Sequence, residues 1–158
     1  MTSARSYCLD TSALIHAAVR AYPMDVFGSF WTRLECLIDE GRAIARKEVE
    51  KEIKKQDDEL RDRCKGRSSL FVAPEVEIQQ TMSAVAQQFP SLVNQTKLRG
   101  LADPWVVATA QTMEATVVTQ EGSKPTKPKI PDACRALGIP CLNLLDFIRA
   151  EGWTWNDT

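Results

Sequence analysis

Tyr7-Cys8-Leu9-Asp10-Thr11-Ser12-Ala13-Leu14-Ile15 is the stretch whose reading decides the fold. A short apolar run ends in one carboxylate, two hydroxyl residues follow, and an apolar pattern of helical spacing then begins. Such a run, bounded by turn chemistry, reads as a buried strand. Leu14, Ile15, Ala18, Val19 and Tyr22 continue as a helix until Pro23 ends it. Asp10 therefore stands where a strand hands over to a helix. In an open α/β sheet, the crevice outside the carboxyl ends of the strands is where ligands bind. A carboxylate is costly to hold there without a cation or hydrogen-bond donors, so the question becomes what meets Asp10.

A chain of 158 residues is one domain by the usual prior and is long enough to bury a real core. With 44% hydrophobic and 26% charged residues it has ordinary globular composition. The formal net charge of −1 does not advertise a nucleic-acid binder, although a group of acidic ligands would mask basic residues elsewhere. The five cysteines, at positions 8, 36, 64, 134 and 141, are odd in number, scattered and without a C-x-x-C pair. Buried thiols in a reducing cytosol explain them better than a zinc or disulfide framework. No charged-then-apolar leader opens the chain, and no apolar run reaches the ~20 residues that span a bilayer. The expectation is a cytoplasmic protein with no membrane contact.

The remaining chain alternates strands and helices. Val26, Phe27, Phe30, Trp31, Leu34, Leu37 and Ile38 make a second amphipathic helix, closed by Gly41. Arg42 to Ala45 is a short strand. Val49, Ile53, Leu60 and Cys64 keep a helical seam through a charged stretch from Lys47 to Gly66. Ser69 to Val72 is a strand or a packed loop. Pro74 opens a helix whose buried face is Ile78, Met82, Val85 and Phe89. Asp103-Pro104 reads as N-cap plus first-turn proline of a helix running to Met113. Ala115 to Thr119 is the clearest strand, and Gly122 to Lys129 is an exposed Lys/Pro loop. A short helix from Pro131 to Leu137, a strand from Ile139 to Leu142 and a last helix from Leu145 to Ala150 complete the pattern. This alternation predicts an α/β protein with a mostly parallel sheet. The domain extends over residues 1–152, with 153–158 as a short C-terminal tail.

Several acids fall at element boundaries and not on solvated helix faces. Asp10 follows the first strand, Asp103 starts a helix, and Glu121 follows the Ala115–Thr119 strand, all toward the same end of a parallel sheet. Glu48 and Glu52 lie one turn apart in the charged helix. Each alone has a plain structural explanation: Asp103 as an N-cap, Glu48 and Glu52 as surface charges. Together they suggest a convergent site. Neighbouring carboxylates repel and raise one another's pKa values unless a cation compensates, and all-oxygen sites suit Mg²⁺ or Mn²⁺.

The Leu9–Ile15 stretch, the Val49-x-x-Glu52 helix, the Asp103-x-Trp-Val-Val-Ala-Thr-Ala segment and the strand ending Val-Val-Thr-x-Glu resemble PIN-domain nucleases. The likeness is nearest to an uncharacterised bacterial branch carrying a Lys-Ile-Pro-Asp-x-Cys segment like Lys129 to Cys134. It runs from Tyr7 to about Gly152. It implies a three-layer α/β/α sandwich around a central parallel sheet, cleavage of RNA with Mg²⁺ or Mn²⁺, and the toxin half of a toxin–antitoxin pair. The partners it implies are an RNA substrate and a cognate antitoxin, and self-association stays open. Carried over residue by residue, the catalytic and metal-binding acids are Asp10, Glu52, Asp103 and Glu121, with Glu48 in reserve for Glu52. Ser12 and Thr119 match hydroxyls that hold carboxylates and water. Glu121 departs from the wider family, where Asp is common, and is one methylene longer. Asp132 is a further acid or, better, a helix-start residue.

Lys124, Lys127 and Lys129 could hold backbone phosphate or merely solubilise their loop. His16 is the only histidine, and no G-x-S-x-G motif, P-loop or dinucleotide fingerprint accompanies it. The tryptophans at 31, 105, 153 and 155 read as packing anchors, with Trp153 and Trp155 also able to cover a partner surface. A haloacid-dehalogenase-like phosphatase needs a second Asp where this chain has Ser12. The reading that competes with the nuclease is a catalytically inert PIN-like binding module.

Overall fold

In a computed structural model, the described residues are 5–46, 60, 62, 71–72, 76–92, 103–122, 126 and 129–155. Tyr7–Leu9 forms β1, a three-residue strand buried along its whole length. Among the described residues it lies at the centre of an all-parallel five-stranded sheet of order β3-β2-β1-β4-β5. The other strands are β2 (Ala43–Arg46), β3 (Phe71–Val72), β4 (Thr116–Val118) and β5 (Cys141–Leu142). Tyr7 stands opposite Ala43 on one side and Thr116 on the other, and Leu9 stands opposite Val118. A strand covered on both faces has to be apolar throughout, which is why Tyr-Cys-Leu shows no alternation.

Six helices flank the sheet among the described residues: α1 (Thr11–His16), α2 (Gly28–Asp39), α3 (Val76–Gln88), α4 (Asp103–Met113), α5 (Ile130–Leu137) and α6 (Leu144–Glu151). Successive side chains of β1 point to opposite faces. The Tyr7 ring meets Phe147 of α6 edge-on, with centroids 4.7 Å apart. The Cys8 thiol instead points to the Val106 carbonyl of α4, at 3.8 Å. Helices α2 and α6 thus cover one face, and α4, backed by α3 and α5, covers the other. Right-handed crossovers account for this arrangement. The path from β1 to β2 moves one way across the sheet, and the return from β3 to β4 moves the other way, so their helices land on opposite faces. The result is the expected three-layer α/β/α sandwich.

Several details differ from the sequence reading. After α1 the backbone widens into a π-helical turn, Ala17–Ala21, before Pro23. The strands are shorter than their apolar runs: Thr116–Val118 within Ala115–Thr119, and Cys141–Leu142 within Ile139–Leu142. Asp103 is the first residue of α4, where the sequence suggested its cap. The charged stretch from Lys47 to Gly66 lies outside the described residues, apart from helical backbone at Leu60 and Asp62. At the far end of the chain, Trp153 packs edge-on against Phe147 and Phe30, and Trp155 stacks on Tyr22. The Trp155 indole N–H donates to Ser29 Oγ at 2.6 Å. These two tail residues are docked on the body, as packing anchors should be.

A second cluster pins the amino ends of the strands. The Tyr7 hydroxyl donates to Glu151 Oε2 at 2.5 Å, and Arg42 donates to the same oxygen at 2.8 Å. Burial and the neighbouring Glu151 push the Tyr7 phenol well above its ordinary range. This cluster fixes α6 at the opposite end of β1 from Asp10.

Candidate functional site

The order β3-β2-β1-β4-β5 reverses direction at β1, since β2 follows it on one side and β4 on the other. The chain leaving β1 enters the α1–α2 face, whereas the chain leaving β4 leads to α5 on the opposite face. A crevice opens between the two carboxyl ends, the place where open α/β sheets bind ligands. The backbone brings its walls together there. The Asp10 N–H donates to the Val118 carbonyl at 2.9 Å, and the Thr119 N–H to the Leu142 carbonyl at 3.0 Å.

Asp10 is only 2% exposed. Its Oδ2 accepts a 2.6 Å bond from the Ser12 hydroxyl and a 2.8 Å bond from the Thr119 hydroxyl. The two hydroxyl oxygens are 3.1 Å apart. Each also accepts a backbone N–H, from Gln120 at 3.0 Å to Ser12 and from Glu121 at 3.1 Å to Thr119. A hydroxyl that accepts from a fixed amide directs its own hydrogen elsewhere, here to Asp10. The turn after β4 therefore orients the carboxylate that follows β1. Burial drives the Asp10 carboxyl above the usual carboxylate range, opposed by the hydroxyls of Ser12 and Thr119 and by the first-turn amides of α1.

Glu121 shares this environment. Its pKa is raised first by burial and then by the charge of Asp10. The Ile130 N–H at the start of α5, the Lys129 ammonium and a hydrogen bond with the Asp103 side chain pull it down. The Ile130 bond to Glu121 Oε2 is long, at 3.4 Å. Asp10, Asp103 and Glu121, read from three separate stretches of sequence, are thus brought to one crevice. Among the described residues no three His, Cys, Asp or Glu side chains are grouped so that they could hold a metal ion by themselves. Mg²⁺ does not require such a group, because it keeps several waters and binds through one or two carboxylates. Oxygen-only donors are the kind such a cation takes.

The other candidate residues separate clearly. Glu52 and its reserve Glu48 lie outside the described residues, as do Lys124 and Lys127. Lys129 is exposed and precedes α5, near Glu121. Asp132 accepts the Lys129 backbone N–H at 2.9 Å, which is the helix-start role. His16 ends α1, half-buried. Sequence reasoning passed over Gln120, whose Oε1 accepts the Leu144 N–H at 2.6 Å and so ties the site turn to the start of α6. Its position between Thr119 and Glu121 was the available signal.

Comparison with curated proteins returns no match. The family model described as "Domain of unknown function (DUF4411)" matches residues 7–155. Among solved structures, the fold is similar to VapBC2 from Rickettsia felis bound to a DNA fragment from their promoter. That likeness has TM-score 0.51 and 13% identity over 87% of this chain and 97% of that one. It is also similar to FitAcB from Neisseria gonorrhoeae, with TM-score 0.52 and 14% identity over 88% of this chain and 98% of that one. At such identities the likeness carries the architecture, a PIN-like sandwich.

Proposed function

The chain belongs to the DUF4411 family, and from that premise we propose that it is a metal-dependent endoribonuclease, the toxin of a toxin–antitoxin pair. Asp10, Asp103 and Glu121 hold Mg²⁺ or Mn²⁺, with Glu52 as the fourth acid. The observation that carries this reading is the buried Asp10. Its Oδ2 is fixed by two hydroxyls, and it stands within electrostatic reach of Glu121, which in turn touches Asp103. Structural carboxylates have little reason to gather in a crevice where burial raises both Asp10 and Glu121 and the charge of Asp10 raises Glu121 further, whereas a cation turns that repulsion into affinity.

When bound, the cation supplies acidification of a water and charge stabilisation of the phosphoryl oxygens, the two needs of phosphodiester hydrolysis. The chain's own residues do the rest. Ser12 and Thr119 hold Asp10 in one orientation. The first amide of α5 and Lys129 keep Glu121 poised to ionise. Lys129, beside the crevice, is positioned to attract the RNA backbone. The antitoxin as partner draws on the resemblance to PIN nucleases and on the fold shared with VapBC2 and FitAcB. The competing reading, an inert PIN-like binding module, draws on there being no group of three His, Cys, Asp or Glu that could hold a metal ion among the described residues.

Thermal melting with and without Mn²⁺, for wild type and Asp10→Asn, separates the two. At about 100 times the dissociation constant a ligand adds roughly 2.7 kcal/mol, or about 5–10 °C for a chain of this size. A shift in wild type, its loss in Asp10→Asn, and Mn²⁺-dependent cleavage of a labelled RNA are the expected results. No shift in wild type, even with RNA present, together with intact RNA, would leave the inert module.

A further inference from the structure

Two thiols flank the crevice without belonging to it. Cys134 lies on α5, fully buried, and Cys141 lies on the edge strand β5, half-buried. Only six residues separate them, and the turn between is tight. Gly138 caps α5 at φ +71°, a conformation that favours glycine, and the Ile139 N–H returns to the Cys134 carbonyl at 2.8 Å. This return folds β5 back against α5, so that the side chains of Cys134 and Cys141 interact.

We propose that Cys134 and Cys141 are a reversible dithiol–disulfide pair, oxidised by hydroperoxides. The roles follow from burial and contact. Cys141 reaches solvent and is the thiol that meets the oxidant. Its contact with Cys134 favours its thiolate, whereas Cys134 is held protonated. The Cys141 thiolate attacks a peroxide oxygen, giving a sulfenic acid and releasing water or alcohol. The Cys134 sulfur then attacks the sulfenic sulfur, the S–S bond forms, and the hydroxyl leaves as water. Two thiols lose two electrons and two protons, and one hydroperoxide gains them.

Both ends of the pair connect to the acidic crevice. Next to Cys141, the Leu142 carbonyl accepts the Thr119 N–H, and Thr119 holds Asp10. At the other end of α5 from Cys134's turn, the Ile130 N–H meets Glu121. A bond between the thiols therefore ties together the two elements that support Asp10 and Glu121, whatever reaction the crevice performs.

The test is intact mass and peptide mapping after treatment with equimolar hydrogen peroxide, on wild type, Cys134→Ser, Cys141→Ser and Cys36→Ser. Wild type and Cys36→Ser are expected to lose two hydrogens within one chain, with residues 134 and 141 cross-linked, and to regain them with dithiothreitol. Neither Cys134→Ser nor Cys141→Ser should do so. Cys141, half-buried, carries the comparison if the buried Cys134→Ser variant does not fold. Oxidation of Cys141 to the sulfinic acid without a cross-link, a disulfide between chains, or an unchanged loss of two hydrogens in Cys141→Ser would overturn the proposal.

Discussion

Asp10 carries a stability cost in the metal-free protein that its chemistry explains. Its carboxyl, like that of Glu121, binds a proton more tightly in the folded chain than in the unfolded one. The folded pKa is raised, so the group's contribution to stability is complete below the unfolded value, about 3.9 for Asp. That contribution is lost as pH rises through the folded value. At pH 7 the metal-free wild type should therefore be less stable than Asp10→Asn, which keeps the shape and removes the charge. The gap should narrow as the pH is lowered toward 4. Urea denaturation at pH 5 and pH 7 checks this: a variant no more stable than wild type at pH 7, or a gap that widens in acid, contradicts the buried-charge account. The same substitution removes the proposed metal response, so one residue is expected to trade stability for function.

Short elements behave similarly, because their ends are set by single residues. Glu114, just after α4, holds φ at +54° while the Ala115 N–H closes back on the Ala110 carbonyl at 2.9 Å. A non-glycine residue in the left-handed region costs about 1 kcal/mol or more, partly offset by the extra unfolded-state freedom of glycine. Glu114→Gly is expected to stabilise the protein by about 0.5 kcal/mol, read from the urea midpoint, and a lower midpoint would count against strain there. Such features mark where sequence reasoning stopped. Tyr7–Leu9, Ala43–Arg46 and Thr116–Val118 were legible because a buried parallel strand must be an apolar run. Glu114 was not, since nothing in Met-Glu-Ala names a left-handed turn. Asp10, Asp103 and Glu121 were legible as boundary acids. The relay of Gln120 and Glu121 amides through two hydroxyls was not, because it depends on residues more than a hundred positions apart meeting at adjacent strands.

For the whole molecule, one consequence of the topology can be tested away from the crevice. The sheet's two faces are closed by different means: α4 is almost wholly apolar against β1, β2 and β4, whereas α2 and α6 meet through an aromatic cluster completed by the chain's last described residues. Trp153 bridges Phe147 of α6 and Phe30 of α2, with centroids 5.4 and 6.0 Å away. The Arg33 guanidinium lies over the neighbouring Trp155 ring at 4.9 Å. Removing a fully buried tryptophan costs about 3–5 kcal/mol, and Trp153 is half-buried, so Trp153→Ala should cost about 2 kcal/mol. In a chain of this length that lowers Tm by about 4–8 °C. The Mn²⁺ shift should survive, because Trp153 follows the carboxyl end of α6 while Gln120 and the crevice meet its amino end at Leu144, about 12 Å away along the axis. A Tm unchanged by Trp153→Ala would mean that the tail is dispensable and that α2 and α6 close their face without it. A lost Mn²⁺ shift in a folded variant would mean that α6 transmits its packing to the site turn through Gln120, making the aromatic face part of what holds Asp10.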